Sequence, residues 1–174
     1  MKHLKTYRIF ENQNKDNSKI VKELKKYDII DYTINNDGTI DVDGDVDLSY
    51  KRLTKIPLKF GKVTGNFYCN NNKLVNLSGC PQEVGIEFNC SVNLLKDLIG
   101  GPQEVVGDYY CYDNHLISLE GCSGDIGGDM FCYTNKLEML DCSSVINGDI
   151  SCEDNGFKIE PEFFGICGGK INWK

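Results

Sequence analysis

Five cysteines recur along the chain at near-constant intervals: Cys69, Cys90, Cys111, Cys132 and Cys152, spaced 21, 21, 21 and 20 residues apart. Each closes a triplet: Phe67-Tyr68-Cys69, Phe88-Asn89-Cys90, Tyr109-Tyr110-Cys111, Met130-Phe131-Cys132 and Ile150-Ser151-Cys152. Three residues after each Cys stands an asparagine: Asn72, Asn93, Asn114, Asn135 and Asn155. A period near 20 residues is the mark of a solenoid, in which one short unit stacks on the next and no unit can bury its apolar face alone.

Further columns keep the same phase. Leu74, Leu95, Leu116 and Leu137 follow each Asn by two residues, and Leu77, Leu98, Leu119 and Leu140 come three later. Val63, Val84, Val105, Ile126 and Ile146 each precede a triplet by four. The repeats align as 44–64, 65–85, 86–106, 107–127, 128–147 and 148 onward, about six in all over 44–156, with Lys51 where the first Asn is expected. Residues 1–43 predict an N-terminal cap. It holds a helix from Ser18 to near Tyr27, with Ile20, Val21 and Leu24 on one face, then a hairpin of Tyr32–Ile34 and Thr39–Val42. Residues 157–174 predict a C-terminal cap built on Phe163, Phe164, Ile171 and Trp173.

The nine cysteines are an odd number, and five of them share one column. A disulfide framework does not need identical phase in every repeat, whereas a column of small buried groups does, and free Cys packs as a small hydrophobe. A reducing cytosol fits this better than secretion does. There is no CxxC pair and only His3 and His115 to assist, so no zinc site and no cofactor is expected. No apolar run is long enough to span a membrane, and the basic first ten residues lack the apolar stretch of a secretory signal. Net charge is −7, unevenly spread: residues 1–30 carry eight Lys/Arg against four Asp/Glu, and 31–174 carry eleven against twenty-two. An acidic body disfavours direct nucleic-acid contact and favours a basic partner surface.

The pattern apolar-x-Cys-x-x-Asn-x-Leu over residues 44–156 resembles the leucine-rich repeat, with Cys at the second Leu position of its strand segment. The resemblance implies an α/β, mostly β, right-handed solenoid with a parallel sheet on its concave face. The short repeats resemble bacterial forms whose convex side is turns or extended chain. Cys80-Pro81-Gln82-Glu83-Val84 and Gly101-Pro102-Gln103-Glu104-Val105 agree, since Pro stops a helix. The Cys-rich linking segments look like those of bacteriophage-encoded proteins, which would place the chain in a bacterial host cytoplasm.

Strand residues alternate between core and surface. With Phe67 and Cys69 inward, three outward columns follow. The first is Asp45, Asn66, Glu87, Asp108, Asp129 and Asp149; the second is Asp47, Tyr68, Asn89, Tyr110, Phe131 and Ser151; the third is Ser49, Asn70, Ser91, Tyr112, Tyr133 and Glu153. Glu87, Asp108, Asp129 and Asp149 form a like-charged run. Neighbours near 5 Å repel by about 0.8 kcal/mol in bulk water, so the run is expected to cost stability. It serves either solubility or a partner. Tyr68, Tyr110, Phe131, Tyr112 and Tyr133 serve either as mutual stacks or as interface anchors.

Other chemistries find less support. The alternation of Asp41, Asp43, Asp45 and Asp47 with apolar residues is a strand pattern rather than a calcium loop. Lys51, Arg52, Lys55, Lys59 and Lys62 read as a solvated edge. No Gly-rich phosphate loop, HExxH or G-x-S-x-G occurs, His115 reads as a turn residue, and the column cysteines are too buried for catalysis, so no enzyme is expected. The expectation is a protein-binding module whose acidic, tyrosine-rich concave face meets a basic protein. The phage resemblance suggests an inhibitor or modulator of a host defence or nucleic-acid-binding protein, its carboxylates standing in for phosphates. A virion or surface-adhesion role with glycan binding is the alternative. The oligomeric state is not legible.

Overall fold

The computed structural model describes residues 17–174. The part of the expected cap before Asn17 lies outside them. The chain opens with α1 (Asn17–Lys26), β1 (Tyr32–Ile34) and β2 (Ile40–Val42). Ser18 sits in the first turn of α1 rather than ahead of it, and Lys25 and Lys26 occupy the last turn, where the helix dipole favours cations. β1 and β2 form the expected antiparallel hairpin, Tyr32 opposite Val42. Leu24 is fully buried, so α1 docks on the stack through its apolar stripe.

Short strands, all but one of two residues, then alternate between two sides of each coil. On one side lie β3 (Val46–Asp47), β5 (Phe67–Tyr68), β7 (Phe88–Asn89), β9 (Tyr109–Tyr110), β11 (Met130–Phe131), β13 (Ile150–Ser151) and β15 (Ile171–Asn172). On the other lie β4 (Phe60–Val63), β6 (Glu83–Val84), β8 (Glu104–Val105), β10 (Asp125–Ile126), β12 (Val145–Ile146) and β14 (Ile166–Cys167). The first set makes a seven-stranded parallel sheet. The second, extended by β2 and β1, makes an eight-stranded sheet that is parallel apart from β1. The molecule is a mostly β, parallel-strand solenoid of about six coils with one short helix.

The register follows the sequence period. Phe67 pairs with Phe88, Phe88 with Tyr109, Tyr109 with Met130, and Met130 with Ile150, which keeps the single 20-residue step. The second sheet was not anticipated, because turns or extended chain were expected on that side. Its strands hydrogen-bond coil to coil through backbone groups such as Gly85 N–H to Val63 C=O at 2.9 Å. Residues 157–174 add a further coil, with β14 on β12 and β15 on β13, and Phe163, Ile171 and Trp173 pack against the core.

The core lies between the sheets. Phe67, Phe88, Tyr109, Met130 and Ile150 face Val63, Val84, Val105, Ile126 and Ile146, and the leucine columns complete it. Phe67 and Phe88 stack at 5.9 Å between centroids, and Phe88 meets Tyr109 at 5.0 Å. The five column cysteines are fully buried and all nine are free thiols. Each apolar side chain taken fully from water contributes about 1.5–3 kcal/mol, so every coil depends on its neighbours for stability.

The asparagine column closes the corner after each Cys. Asn93 Nδ2 donates to the carbonyls of Cys69, Cys90 and Ser91 at 3.1–3.2 Å, while its Oδ1 accepts the Leu74 N–H at 2.9 Å. Asn114, Asn135 and Asn155 repeat this pattern. At the first coil, where Lys51 replaces Asn, Asn72 Oδ1 accepts the N–H of both Lys51 and Leu53. The residue ahead of each Asn (Asn71, Val92, Asp113, Thr134, Asp154) takes a left-handed φ of 51–55°.

Candidate functional site

The seven-stranded sheet places the three expected columns in register. Asp47, Tyr68, Asn89, Tyr110, Phe131 and Ser151 are directly paired in sequence. Tyr68, Tyr110, Phe131, Tyr112 and Tyr133 are all half-buried on this face. Ser91, expected to face outward, is instead fully buried and donates its hydroxyl to Asn89 Oδ1.

The aromatics gather on two neighbouring coils. Tyr110 and Phe131 stack at 4.7 Å with planes 3° apart, and Tyr112 and Tyr133 stack at 4.6 Å with planes 8° apart. Two parallel stacks thus stand side by side, one residue pair along each strand. Tyr68 is two coils from Tyr110 and separated from it by Asn89, so it lies outside this cluster. The mutual stacking and the anchoring readings of the rings are compatible: stacking fixes the rings while leaving their outer edges accessible.

The acidic column is tied to the backbone. Asp108 Oδ1 accepts the N–H of Asp129 at 2.8 Å, Asp129 Oδ1 that of Asp149 at 2.8 Å, and Asp149 Oδ1 that of Lys170 at 2.7 Å. Asp45 Oδ1 does the same for Asn66 N–H, and Asn66 Oδ1 for Glu87 N–H. Amides and carboxylates therefore serve alike. Against the repulsion expected of the run, each such bond satisfies a backbone donor where the ladder turns. The glycine ahead of each N–H that an aspartate accepts, Gly65, Gly128, Gly148 and Gly169, makes room for that carboxylate. A Cβ at Gly128 would strike Asp108 Oδ1, and one at Gly148 would strike Asp129 Oδ1. Glu87 is the exception: its Oε2 accepts the Tyr68 hydroxyl at 3.2 Å.

Asp108 joins acid and aromatic columns, its Oδ2 accepting the Tyr110 hydroxyl at 3.0 Å. Burial first, and then the nearby carboxylates, pushes the Tyr68 and Tyr110 phenols up; for Tyr133 burial is joined by Tyr112. All three remain protonated donors at neutral pH.

Sequence reading missed a second acidic ladder. Lys62, Glu83, Glu104, Asp125, Val145 and Ile166 are in register along the outside of the other sheet, with Glu83, Glu104 and Asp125 exposed. Lys62 Nζ meets Glu83 at 2.7 Å. The signal was the acid standing directly before Val84, Val105 and Ile126 at fixed phase. Acidity therefore does not distinguish the two faces; the paired aromatics do.

The aspartates of the first coils turn to separate partners. Asp41 Oδ1 accepts Lys62 N–H, Asp43 Oδ1 accepts the Thr64 hydroxyl, and Asp47 Oδ1 accepts the Ser49 N–H. Among the described residues no three His, Cys, Asp or Glu side chains gather to hold a metal ion, and no helix is long and apolar enough to cross a membrane. No protein-family model matches the chain, and neither curated proteins nor solved structures gave a match.

Proposed function

We propose that the chain is a non-enzymatic protein-binding module of leucine-rich-repeat type that holds a basic protein on the outer face of the seven-stranded sheet. The observation that carries this reading is the pair of aromatic stacks, Tyr110–Phe131 and Tyr112–Tyr133, beside the carboxylates of Asp108, Asp129 and Asp149. Flat, rigid rings lose little conformational entropy on binding and suit the desolvated centre of an interface. Adjacent carboxylates recruit Arg or Lys, whose cations also stack on ring faces. Glu87 and Tyr68 extend the face on the N-terminal side. On this proposal the chain acts in a bacterial cytoplasm as a phage-encoded modulator, and its target is a host defence protein whose nucleic-acid groove accepts carboxylates in place of phosphates.

The test compares two triple variants with the same charge change. Glu87→Gln/Asp108→Asn/Asp129→Asn removes three charges from the aromatic face; Glu83→Gln/Glu104→Gln/Asp125→Asn removes three from the other. Pull-down from bacterial lysate at low and high salt, read by mass spectrometry, should retain one dominant protein with the wild type and with the second variant, and lose it with the first. Equal loss with both would reduce the interaction to net charge and refute the face. A particle surface or glycan retained instead of a protein would favour adhesion, since stacked tyrosines also accept sugar rings.

A further inference from the structure

Past the corner that closes each strand, a second charged column borders the aromatic face. Arg52, Lys73, Leu94, His115 and Lys136 each follow the corner position and are exposed. They stack coil on coil: the N–H groups of Lys73, Leu94, His115 and Lys136 donate to the carbonyls of Leu53, Leu74, Leu95 and Leu116 at 2.8–2.9 Å. The column keeps the phase of the sheet, so a base stands seven residues after an acid of its own coil: Arg52 after Asp45, His115 after Asp108, Lys136 after Asp129. The two edges are too far apart to pair within one chain, since the strand from Asp129 to Tyr133 alone spans about 14 Å. Among the described residues the ion pairs are Lys26–Glu23 and Lys62–Glu83, which leaves Arg52, Lys73 and Lys136 without a carboxylate partner there.

Along the strands of coils 107–127 and 128–147 the face thus runs acid, ring, ring, base. That order is complementary to itself under one symmetry. A two-fold axis parallel to the stack lays each coil against the same coil of a second copy and reverses the order of the columns. Acid then meets base at both edges, and rings meet rings between them. An axis parallel to the strands would instead oppose acid to acid. A two-fold contact uses one patch twice and closes on itself, the commonest form of soluble oligomer.

We propose that the aromatic face closes on a second copy of this chain, in a two-fold dimer whose axis runs along the stack, with Asp129 of each copy against Lys136 of the other, Asp45 against Arg52, and the Tyr110–Phe131 and Tyr112–Tyr133 stacks at the centre. The face is about 29 Å long over six coils and about 17 Å wide, roughly 500 Å² from each copy. That is the low end for specific interfaces, so the dimer forms and dissociates with concentration. Each copy carries a net charge of −7. At about 0.15 M salt charges are screened beyond about 8 Å, so the touching columns outweigh the distant bodies. The dimer does not depend on the basic partner proposed above; it occupies the same rings and competes with that partner for them.

The test uses the purified full chain with no other protein present, so its failure leaves the basic-partner reading as it stands. Sedimentation velocity at about 0.15 M salt, across micromolar concentrations, should show a reversible monomer–dimer equilibrium. A carbodiimide, which joins an amine directly to a carboxylate, applied to mixed unlabelled and heavy-nitrogen chains should link Lys136 of one to Asp129 of the other. Arg52→Glu/Lys136→Glu should weaken the dimer at least about ten-fold. Lys55→Glu/Lys59→Glu, the same charge change at exposed positions off the face, should alter it less than about two-fold. Circular dichroism should be unchanged in both. A monomer at every concentration, a dimer that the face variant leaves intact or that both variants weaken equally, or mixed-isotope cross-links lying outside the face would overturn the proposal; the first and last of these need no variant to fold.

Discussion

Replacing Asn93 by Ala removes one corner amide from the middle of the stack, where the residue is 6% exposed. The bonds it makes show what is lost. The Cys69 carbonyl keeps Asn72 Nδ2 at 3.0 Å, the Cys90 carbonyl keeps Asn114 Nδ2 at 3.2 Å, and the Ser91 carbonyl keeps the Asn71 N–H at 3.1 Å. Only the Leu74 N–H, whose acceptor is Asn93 Oδ1, is orphaned. One buried unsatisfied donor costs about 1–3 kcal/mol, and the two lost Nδ2 donors add about 0.5–1.5 kcal/mol each. The expected loss is therefore about 2–6 kcal/mol, a large share of the stability of an ordinary domain. Equilibrium urea unfolding measures it, followed both by far-UV circular dichroism and by the fluorescence of Trp173, the single tryptophan. Two probes are needed because a repeat array can unfold in parts. A loss below about 1 kcal/mol would refute the idea that the amide is what satisfies the corner.

Asn93→Asp separates the acceptor from the donors. It keeps an oxygen for Leu74 N–H but turns a carboxylate oxygen toward the carbonyls of Cys69, Cys90 and Ser91. Burial and those carbonyls disfavour the anion, so the folded value lies above the unfolded one. The variant should then be most stable in acid and lose stability as pH rises through the ordinary Asp range near 3.9 and beyond.

Three further perturbations probe the corners, the acidic column and the core. Val92 holds a φ of 54°, a conformation that branched side chains adopt at a cost of about 1–3 kcal/mol, so Val92→Asn should raise the urea midpoint; a lowered midpoint would mean that the valine's packing outweighs the strain. Asp129→Asn should leave stability within about 0.5 kcal/mol of wild type because the amide oxygen still accepts Asp149 N–H, whereas Asp129→Ala should lose about 1–2 kcal/mol; equal losses would deny the bond a role. The Tyr109 hydroxyl is buried with no hydrogen-bond partner among the described residues and sits over Gly101, which stands where Cys80, Cys122 and Cys142 stand in other coils. Tyr109→Phe should therefore gain about 1 kcal/mol in urea unfolding, and a loss would show that the hydroxyl's packing matters more than its desolvation.

The stack was legible because its core columns and its corner amides repeat together. The 21-residue phase of Cys and Asn reproduces the register from Phe67 to Tyr109, and the single shorter step falls where Cys152 placed it. The second sheet was hidden by length. Glu83–Val84 is two residues, too short to show an alternation, and the nearby Pro81 gives a reason against a helix without giving one for a strand. The last coil was hidden by composition. It lacks the Cys and Asn signals, yet Cys167 falls into the column of Ile146, and Ile171 into that of Ile150. The left-handed corners could not be read at all, since Val92 and Thr134 are poor choices for that conformation and are held there by the asparagines that follow them.

The candidate site was only half legible, because pattern placed the carboxylates on the surface but not what each oxygen does. Oδ1 of Asp129 and of Asp149 is committed to the next coil's amide, and Oδ2 of each has no hydrogen-bond partner among the described residues. Each carboxylate is thus pinned by one oxygen and presents the other. A pinned side chain gives up little rotamer freedom when a partner arrives, which lowers the entropic cost of forming an ion pair. The same geometry lets binding and folding be tested apart. An Asn at 129 keeps the pin and removes the charge, so Asp108→Asn/Asp129→Asn should fold as the wild type does while the complex with the proposed basic partner loses both affinity and salt dependence. Unchanged salt dependence with intact folding would assign the column to the architecture alone and leave the aromatic stacks to carry recognition.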